Sequence, residues 1–271
     1  MSGPDGTANG NGGYAPVGGP NAGVPERDFF TADLHLGHRS VMKHSHRTEF
    51  MTAADREDFE RVKAGGDPGA LHAWKPTLES VHRMDRALLE NINRVVPVDA
   101  TLWILGDFAM TGSKEMSQRY REAIRCRDVR MVWGNNDRRH RMKPLFTACY
   151  DAMMIHVAPH RTYTEDEIHH DKALRHAAKT DEWKENVPRA YLSHYAHCVW
   201  HRSAKGAYHL YGHSHGNFEP WRLEHMPNAL MLDVGVDPNN YEPVPWSRIH
   251  ATLSERFRTH PPHVVDHHDG H

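Results

Sequence analysis

The sequence contains few cysteines and no long apolar run, and both absences exclude whole classes of protein. Its three cysteines, Cys126, Cys149 and Cys198, are odd in number and widely spaced, which fits neither a disulfide framework nor a zinc-finger pattern. We therefore expect reduced, partly buried thiols in a cytoplasmic protein. No stretch approaches the roughly 20 consecutive apolar residues of a membrane-spanning helix, so the sequence predicts no membrane association.

A surplus of positive charge is also missing. The 271 residues carry 33 lysines and arginines against 35 aspartates and glutamates, which gives a net charge of −2 with histidine neutral. This balance excludes a globally basic nucleic-acid binder but leaves room for a local basic patch. The chain is long enough for one large domain with a core of its own, which we place at residues 27–257.

Both ends of the chain are poor in the apolar residues that a folded segment buries. Residues 1–26 are rich in glycine and proline, and they have neither the positive n-region nor the apolar h-region of a signal peptide. Residues 258–271 are rich in histidine. We predict a disordered leader and a disordered tail, because neither segment offsets its ordering entropy by burial.

Between these ends, the apolar pattern predicts an α/β fold with two mixed β-sheets flanked by helices. Early strands alternate with helices and later strands follow one another, which is typical of a sandwich. We predict a very polar insert at about 160–187, with one helix between 171 and 183. This insert forms either a lid over a functional site or polar surface loops. The predicted strands are 28–33, 101–105, 129–133, 152–157, 190–193, 207–211 and 230–234, and the predicted helices are 52–64, 79–96 and 114–125.

Histidine is abundant, with 25 copies. The positions of these histidines relative to the predicted strands indicate which of them are candidate metal ligands. Loops at the carboxyl ends of strands meet at one edge of an α/β sheet, so residues there converge. The Asp-x-His and His-x-His spacings favour convergence, because residues two apart in an extended chain point to the same side. The candidate ligands that follow predicted strands are Asp33, His35, Asp107, Asn135, His194, His213 and His215.

The donor atoms of this set are carboxylate, imidazole and amide groups, which suit Zn²⁺, Mn²⁺ and iron. Cysteine is absent from these loops, which argues against a closed structural zinc site. Seven ligands are too many for one tetrahedral ion, but they are enough for two ions that share a bridging carboxylate. The sequence therefore predicts two divalent metal ions.

Five motifs in this order resemble those of the calcineurin-like metallophosphoesterase superfamily, in its small bacterial and phage branch. They are FTADLHLGH at 30–38, LGDF at 105–108, GNND at 134–137, the histidine at 194, and GHSH at 212–215, with DVGVD at 233–237 in support. The resemblance covers about residues 28–250. It implies a sandwich of two mixed sheets with the site on loops at the carboxyl edge of the strands.

The resemblance also implies roles. A metal-bridging hydroxide would attack the phosphorus of a phosphodiester or phosphomonoester, with nucleotides among the candidate substrates. One ion would be held by Asp33, His35, Asp107 and His215, and the second by Asp107, Asn135, His194 and His213.

The sequence departs from the family at Asn136, where relatives carry a histidine that contacts phosphate and helps to protonate the leaving group. Asparagine donates a hydrogen bond but is no proton donor near neutral pH. His38 or His140 is then the alternative source of the proton. Arg138 begins a basic run after the Asn135 loop, which is either an anion-binding rim or a solvated charge run.

Other functions stay open at this stage. A protein that retains its metals, but hydrolyses its ligand slowly because residue 136 is asparagine, would be a binding module for phosphorylated ligands. A nuclease of the same superfamily is a further alternative, although the near-neutral net charge disfavours tight duplex binding. A third is a structural role for the metals, with the inserts forming an interaction surface. The sequence does not predict the oligomeric state.

Overall fold

The computed structural model of the protein describes residues 26–259, which form an α/β fold with two mixed five-stranded sheets flanked by helices. Most of the predicted leader and tail lies outside this range; Arg258 and Thr259 belong to the last helix. No helix in the described range is both long and apolar enough to cross a membrane.

The first sheet contains the strands that follow one another early in the sequence, joined by one late strand. Its spatial order is β10-β1-β2-β3-β4, and every neighbouring pair is parallel except β1 with β10. Parallel pairing puts the carboxyl ends of β1, β2 and β3 at one edge. The strands are β1 (Asp28–Thr31), β2 (Thr101–Leu105), β3 (Asp128–Val132), β4 (Ala148–Tyr150) and β10 (Val244–Pro245).

The second sheet has the order β6-β5-β7-β8-β9, with β7, β8 and β9 parallel and β5 antiparallel to both of its neighbours. The carboxyl ends of its three parallel strands therefore lie together as well. Its strands are β5 (Met153–Ala158), β6 (Arg161–Thr164), β7 (Arg189–Leu192), β8 (Tyr208–Tyr211) and β9 (Met231–Asp233).

Alternation along the strands of the first sheet builds two apolar cores. Phe30 and Trp103 share one buried cluster with Ile155 and Leu210 of the second sheet. Phe29 points the other way, into a cluster that contains the apolar stripe of a long helix. A common core between the two sheets is the packing that a sandwich requires.

Eleven helices are found in residues 26–259. The longest, α4, places Val81, Met84, Leu88 and Ile92 on one buried face, as their spacing predicts, and Thr77 caps its amino terminus. The helices are α1 (Val41–His44), α2 (Ala53–Ala64), α3 (Pro68–Ala73), α4 (Leu78–Val95), α5 (Lys114–Ala123), α6 (Arg139–Met142), α7 (Glu165–His170), α8 (Lys172–Ala177), α9 (Asp181–Asn186), α10 (Glu219–His225) and α11 (Trp246–Thr259).

The prediction of a single helix at 171–183 is wrong. The insert begins with β6 and continues with three short helices, because polar caps stop and restart the chain. Asp171 accepts hydrogen bonds from the backbone N–H groups of Ala173 and Leu174, and Thr180 accepts one from Trp183. The sequence prediction also missed β4, β10, α1, α3, α6, α10 and α11.

The position of the insert argues against a lid. It begins after the end of β5 and ends just before Arg189, the first residue of β7, and the β5–β7 register places these two chain ends at the same edge of the sheet. His194 follows the other end of the same strand. The ends of the insert and the candidate ligands therefore lie at opposite edges of the second sheet.

Candidate metal centre

The carboxyl ends of the parallel strands gather six of the seven predicted ligands into two groups of three. In each group, one potential ligand atom from every residue lies within 4.8 Å of the others. The groups are Asp33 with His35 and His215, and Asp107 with His194 and His213. The structure therefore brings together residues from the loops that follow β1, β2, β7 and β8, up to 182 positions apart in the sequence.

Asp107 belongs to the second group and also approaches the first. Its Oδ2 is 3.4 Å from Nε2 of His35 and 3.7 Å from Nε2 of His194. The seventh predicted ligand, Asn135, places its Oδ1 3.0 Å from the same Nε2 of His194. Asp107 therefore lies where a carboxylate that bridges two ions would have to lie.

Two buried atoms of the first group have no hydrogen-bond partner among the described residues: Oδ1 of Asp33 and Nε2 of His35. Both are potential ligand atoms, and a buried polar atom without a partner is costly unless an ion or water satisfies it. The donor set of oxygen and imidazole nitrogen suits Zn²⁺, Mn²⁺ or iron. The residues present therefore fit two divalent ions.

In His194 and His215, the ring nitrogen that is not the candidate metal ligand, Nδ1, is held by a hydrogen bond. Nδ1 of His194 lies 2.8 Å from the carbonyl oxygen of Leu105, which only accepts, so Nδ1 carries the proton and Nε2 keeps its lone pair. Nδ1 of His215 lies 2.6 Å from Oδ2 of Asp237 and 3.0 Å from Oγ of Ser45. Carboxylates and carbonyls hold metal-binding histidines in this way.

The backbone at the ligands is left-handed rather than extended. Asp33, His35, Asp107, His213 and His215 all have φ between 49° and 67°. The i, i+2 argument from extended chain is therefore wrong, although Asp33 and His35 do share one group. Such residues are strained, and clusters of them are typical of functional sites.

Glycine at 106 is required by close packing of the loops. Its φ is +95°, and a Cβ there would overlap the ring of His194 and the backbone of Gly134. At Gly212 a Cβ would overlap Ala32 and lie 2.6 Å from Oδ2 of Asp33. The motif glycines therefore let ligand loops from both sheets touch.

Two carboxylates that the sequence prediction did not assign, half-buried Asp137 and buried Asp233, hold the loops in place. Asp137 accepts hydrogen bonds from the backbone N–H groups of Asp107, Phe108 and Gly134, at 2.7 to 3.0 Å. Asp233 accepts from Oγ of Ser214 at 2.6 Å and from the N–H of Gly216 at 3.1 Å. They lie in the GNND and DVGVD motifs, and their scaffold role depends on contacts that are distant in sequence.

A buried ion pair supports the first group. The Arg47 guanidinium is fully buried and donates to both carboxylate oxygens of Asp237, at 2.7 and 2.8 Å. It also donates to the backbone oxygens of Asp33 and Leu34. Arg47 therefore acts on the site by positioning the loop that carries Asp33.

The electrostatics of the site indicate carboxylates that lack compensating positive charge. Burial, together with the charges of Asp233 and Asp107, raises the pKa of Asp33 well above its usual value. Burial, with the charge of Arg47 second, lowers the pKa of His35 to about 2. A divalent cation here would stabilise the ionised carboxylate and the neutral imidazole together.

Of the four predicted catalytic residues, His38 and Asn136 contact the ligand set. Nδ1 of His38 is 3.3 Å from Nδ1 of His35, and Asn136 donates to both oxygens of Asp107 at 2.9 and 2.7 Å. His140 and Arg138 are exposed, and within residues 26–259 their side chains form no hydrogen bond or ion pair. His140 therefore has no contact that places it as the proton donor.

The open side of the site is formed by exposed residues. His213 and Asn135 are exposed, whereas Asp33 and Asp107 are buried. The exposed ring of Tyr195 lies 4.7 Å from that of His213 and 5.0 Å from that of His194, measured between centroids. A substrate would approach from this side.

The three cysteines are free thiols: Cys126 is buried, Cys149 is intermediate and Cys198 is exposed. The absence of disulfides agrees with the prediction from their spacing. Exposed Cys198 departs from the expectation of partly buried thiols.

Comparisons with known proteins add a likeness of fold. No protein-family model matches the chain, and no curated protein matches it. A solved structure that matches is the crystal structure of the protein of unknown function AQ665 from Aquifex aeolicus. The TM-score is 0.50 at 17% sequence identity, over 83% of this chain and 98% of that chain. At this identity the likeness concerns the α/β fold alone, and function has to be argued from the site.

Proposed function

We propose that the protein is a phosphoesterase that depends on two divalent metal ions. The observation that carries the proposal is the pair of acid–imidazole groups with Asp107 close to both, in which Oδ1 of Asp33 and Nε2 of His35 are buried with no hydrogen-bond partner among residues 26–259. Asp33, His35 and His215 would hold one ion, His194, His213 and Asn135 would hold the other, and Asp107 would contact both. The resemblance of the motifs to the calcineurin-like metallophosphoesterases agrees with this division.

Two bound divalent ions supply Lewis-acid stabilisation of phosphoryl oxygens and lower the pKa of water. The chain supplies the rest. The amide of Asn136 is within reach of Asp107 and is suited to donate a hydrogen bond to a phosphoryl oxygen. His38 offers a titratable nitrogen beside His35, which makes it our candidate for proton transfer.

The mouth of the site fits a phosphorylated substrate that carries a planar ring. Tyr195 exposes 44% of its surface beside His213, and an aromatic face of this kind stacks on a nucleobase. Arg138 follows the Asn135 loop and is exposed, so its guanidinium is available to a phosphate. We therefore favour a nucleotide or another phosphodiester as substrate.

The first test is hydrolysis of bis-nitrophenyl phosphate, nitrophenyl phosphate and an unactivated alkyl phosphodiester with Mn²⁺, Zn²⁺ or iron added. Wild-type protein should hydrolyse at least the nitrophenyl esters, and Asp107→Asn should abolish the activity. Asp99→Asn, at an exposed position, is the matched control. A folded protein that is inactive with all three metals would refute the proposal.

Asn136 favours one alternative, a binding module that retains its metals but turns over slowly. The family's proton-donating histidine is absent at this position, and departure of a poor leaving group needs a proton. Under this alternative only the two nitrophenyl esters are hydrolysed, while the alkyl phosphodiester binds without turnover. Asn136→His should then accelerate the alkyl phosphodiester more than the nitrophenyl esters.

A further inference from the structure

A cavity of about 360 Å³ lies between the insert helices and the edge of the second sheet where β7 begins. This volume lies in the range of small-molecule sites. Its basic lining residues come from three parts of the chain, namely the insert, β7 and the loop before β8. We call it the basic cavity; its five cationic residues are Arg175, Lys179, Lys184, Arg189 and Arg202.

The positive charge of the basic cavity is only partly compensated. Glu165 is the single acidic residue of the lining, and it already contacts Arg202 at 3.4 Å and His201 at 3.6 Å. Lys184 pairs with Asp181 at 2.9 Å. In the described part of the chain, no carboxylate pairs with Arg175, Lys179 or Arg189. Three cations therefore face one cavity without an ion-pair partner.

Composition does not explain this excess. Residues 160–187 contain seven acidic and five basic residues. Several of the acids are used locally: Glu167 pairs with Arg161 and completes the capping box with Thr164, and Asp171 caps α8. Folding therefore uses several acidic side chains in caps and local pairs, and it places Arg175, Lys179 and Lys184 in the lining of the cavity.

A buried hydrogen-bond donor points to the kind of ligand. His156, on β5, lines the cavity and is only 6% exposed. Its Nδ1 accepts a hydrogen bond from Nε1 of Trp183 at 3.2 Å, and because an indole N–H only donates, the neutral imidazole carries its proton on Nε2. Nε2 is buried and has no partner among residues 26–259.

The charge state of His156 agrees with this assignment. Burial, with the charge of Arg189 second, lowers its pKa to about 4, so the ring is neutral at pH 7. Arg189 is the cross-strand neighbour of His156 in the β5–β7 ladder. A neutral donor and a guanidinium are thus held side by side at the wall of the cavity.

We propose that the basic cavity binds a small phosphorylated solute, whose phosphate accepts a hydrogen bond from Nε2 of His156 and is neutralised by Arg189, Lys179 and Arg175. A phosphate group concentrates almost two negative charges and three acceptor oxygens in a small volume, which matches one buried donor and several unpaired cations. This site is separate from the candidate metal centre. Five residues of chain, about 17 Å when extended, separate Arg189 from His194.

The test is calorimetric titration of the full-length protein with inorganic pyrophosphate. Bound metals are first removed with a chelator, which is then dialysed away, so that the metal centre contributes little to phosphate binding. The double variant Arg175→Gln/Lys179→Gln removes two exposed cations of the cavity. The double variant Lys63→Gln/Arg119→Gln removes the same charge from exposed positions of α2 and α5.

We expect the cavity variant to bind pyrophosphate roughly 100-fold more weakly than wild type, because each charge-assisted contact is worth roughly tenfold or more. The control variant should bind within about twofold of wild type. Equal weakening by the two double variants would overturn the proposal in favour of nonspecific charge attraction. Absence of binding at millimolar pyrophosphate, or tighter binding of citrate, would also overturn it.

A second readout reports on His156 itself. In ¹⁵N-histidine spectra, His156 should appear as the Nε2–H tautomer, identified by the signal that disappears in His156→Gln. Pyrophosphate should shift that signal, and inorganic phosphate should shift it in the same direction at higher concentration. A His156 signal that stays unchanged while pyrophosphate binds would show that the anion sits elsewhere and would refute the assigned donor.

Discussion

The candidate metal centre and the basic cavity both gather charge, yet they are assembled in opposite ways. The candidate metal ligands lie in short motifs directly after strands, so parallel pairing within each sheet and packing of the two sheets bring them near one another. The cations of the basic cavity are scattered over helices of an acidic insert, β7 and a later loop. Convergence is therefore visible in the order of motifs in the first case, and only in the packing of short helices in the second.

The largest expected effect tests whether the two regions are independent. Asp107→Asn should lower kcat/KM for bis-nitrophenyl phosphate by about 10³-fold or more, because the residue contacts both candidate ligand groups. It should leave pyrophosphate binding by metal-free protein unchanged. Kinetics, metal content and calorimetry on the same preparation measure both effects. A matching loss of pyrophosphate affinity would mean that the two regions form one site.

The second effect tests how closely the ligand loops are packed. Gly106→Ala should destabilise the fold by about 3 kcal/mol, since its Cβ would overlap the His194 ring at a φ that alanine rarely adopts. Gly112 has open space around its Cβ position, so Gly112→Ala should change stability by less than about 0.5 kcal/mol. Denaturant unfolding distinguishes the two. Similar values for both variants would contradict the packing described for the ligand loops.

The third effect compares two buried histidines, His209 and His156, which differ in whether both ring nitrogens are hydrogen-bonded. His209 is fully buried, and unlike His156 both of its ring nitrogens have partners: Nδ1 donates to the Tyr191 carbonyl and Nε2 accepts from the N–H of His197. Burial is the main reason that its pKa is lowered to about 4. Below its unfolded pKa of about 6.5 only the unfolded chain takes up the proton, so stability is lost as the pH falls from 6.5 to 4.

The measurement is the free energy of unfolding between pH 7 and pH 4. Wild-type protein should lose about 3 kcal/mol more over this range than His209→Asn, which has no proton to take up there. Parallel curves for the two proteins would show that His209 titrates normally in the fold.

The smallest effect concerns a hydroxyl that holds the last ligand loop. Ser214→Ala removes the 2.6 Å hydrogen bond to Asp233 and should cost about 1 kcal/mol of stability and about tenfold in metal affinity. Ser254→Ala, which loses only a 3.4 Å bond within α11, should leave both quantities unchanged. Thermal unfolding and metal titration measure them. If Ser214→Ala keeps wild-type metal affinity, the hydrogen bond from Ser214 to Asp233 has no role in positioning the candidate ligands.

Much of the fold was predictable because its core elements carry strong local patterns. The apolar stripe of α4 and the apolar runs of β2 and β3 each indicate their element without help from the rest of the chain. The missed strands β4 and β10 have three and two residues, too few for a period to appear. Helix α11 buries only Ile249 and Leu253 among 14 residues, so its pattern is weak.

The candidate ligand residues could be proposed from the sequence for a related reason, but the residues that support them could not. Motifs such as GHSH identify donor atoms by their chemistry alone. The scaffold role of Asp137 depends on N–H groups from Asp107 and Phe108, about thirty positions away. Arg47 reaches Asp237 across 190 positions of sequence. No local pattern contains such a pairing.

The sequence by itself determined which donor atoms the chain offers and that strands deliver them in order, because motif spacing and apolar periodicity are local properties. Tertiary structure decided the rest. It divided six of the candidate ligands into two groups, with Asp107 close to both, imposed left-handed backbone at five of them, and placed cations of an acidic insert in the lining of the cavity that His156 also lines. These outcomes depend on distance and burial between residues far apart in sequence, and electrostatic and hydrogen-bond energies follow distance and burial rather than composition.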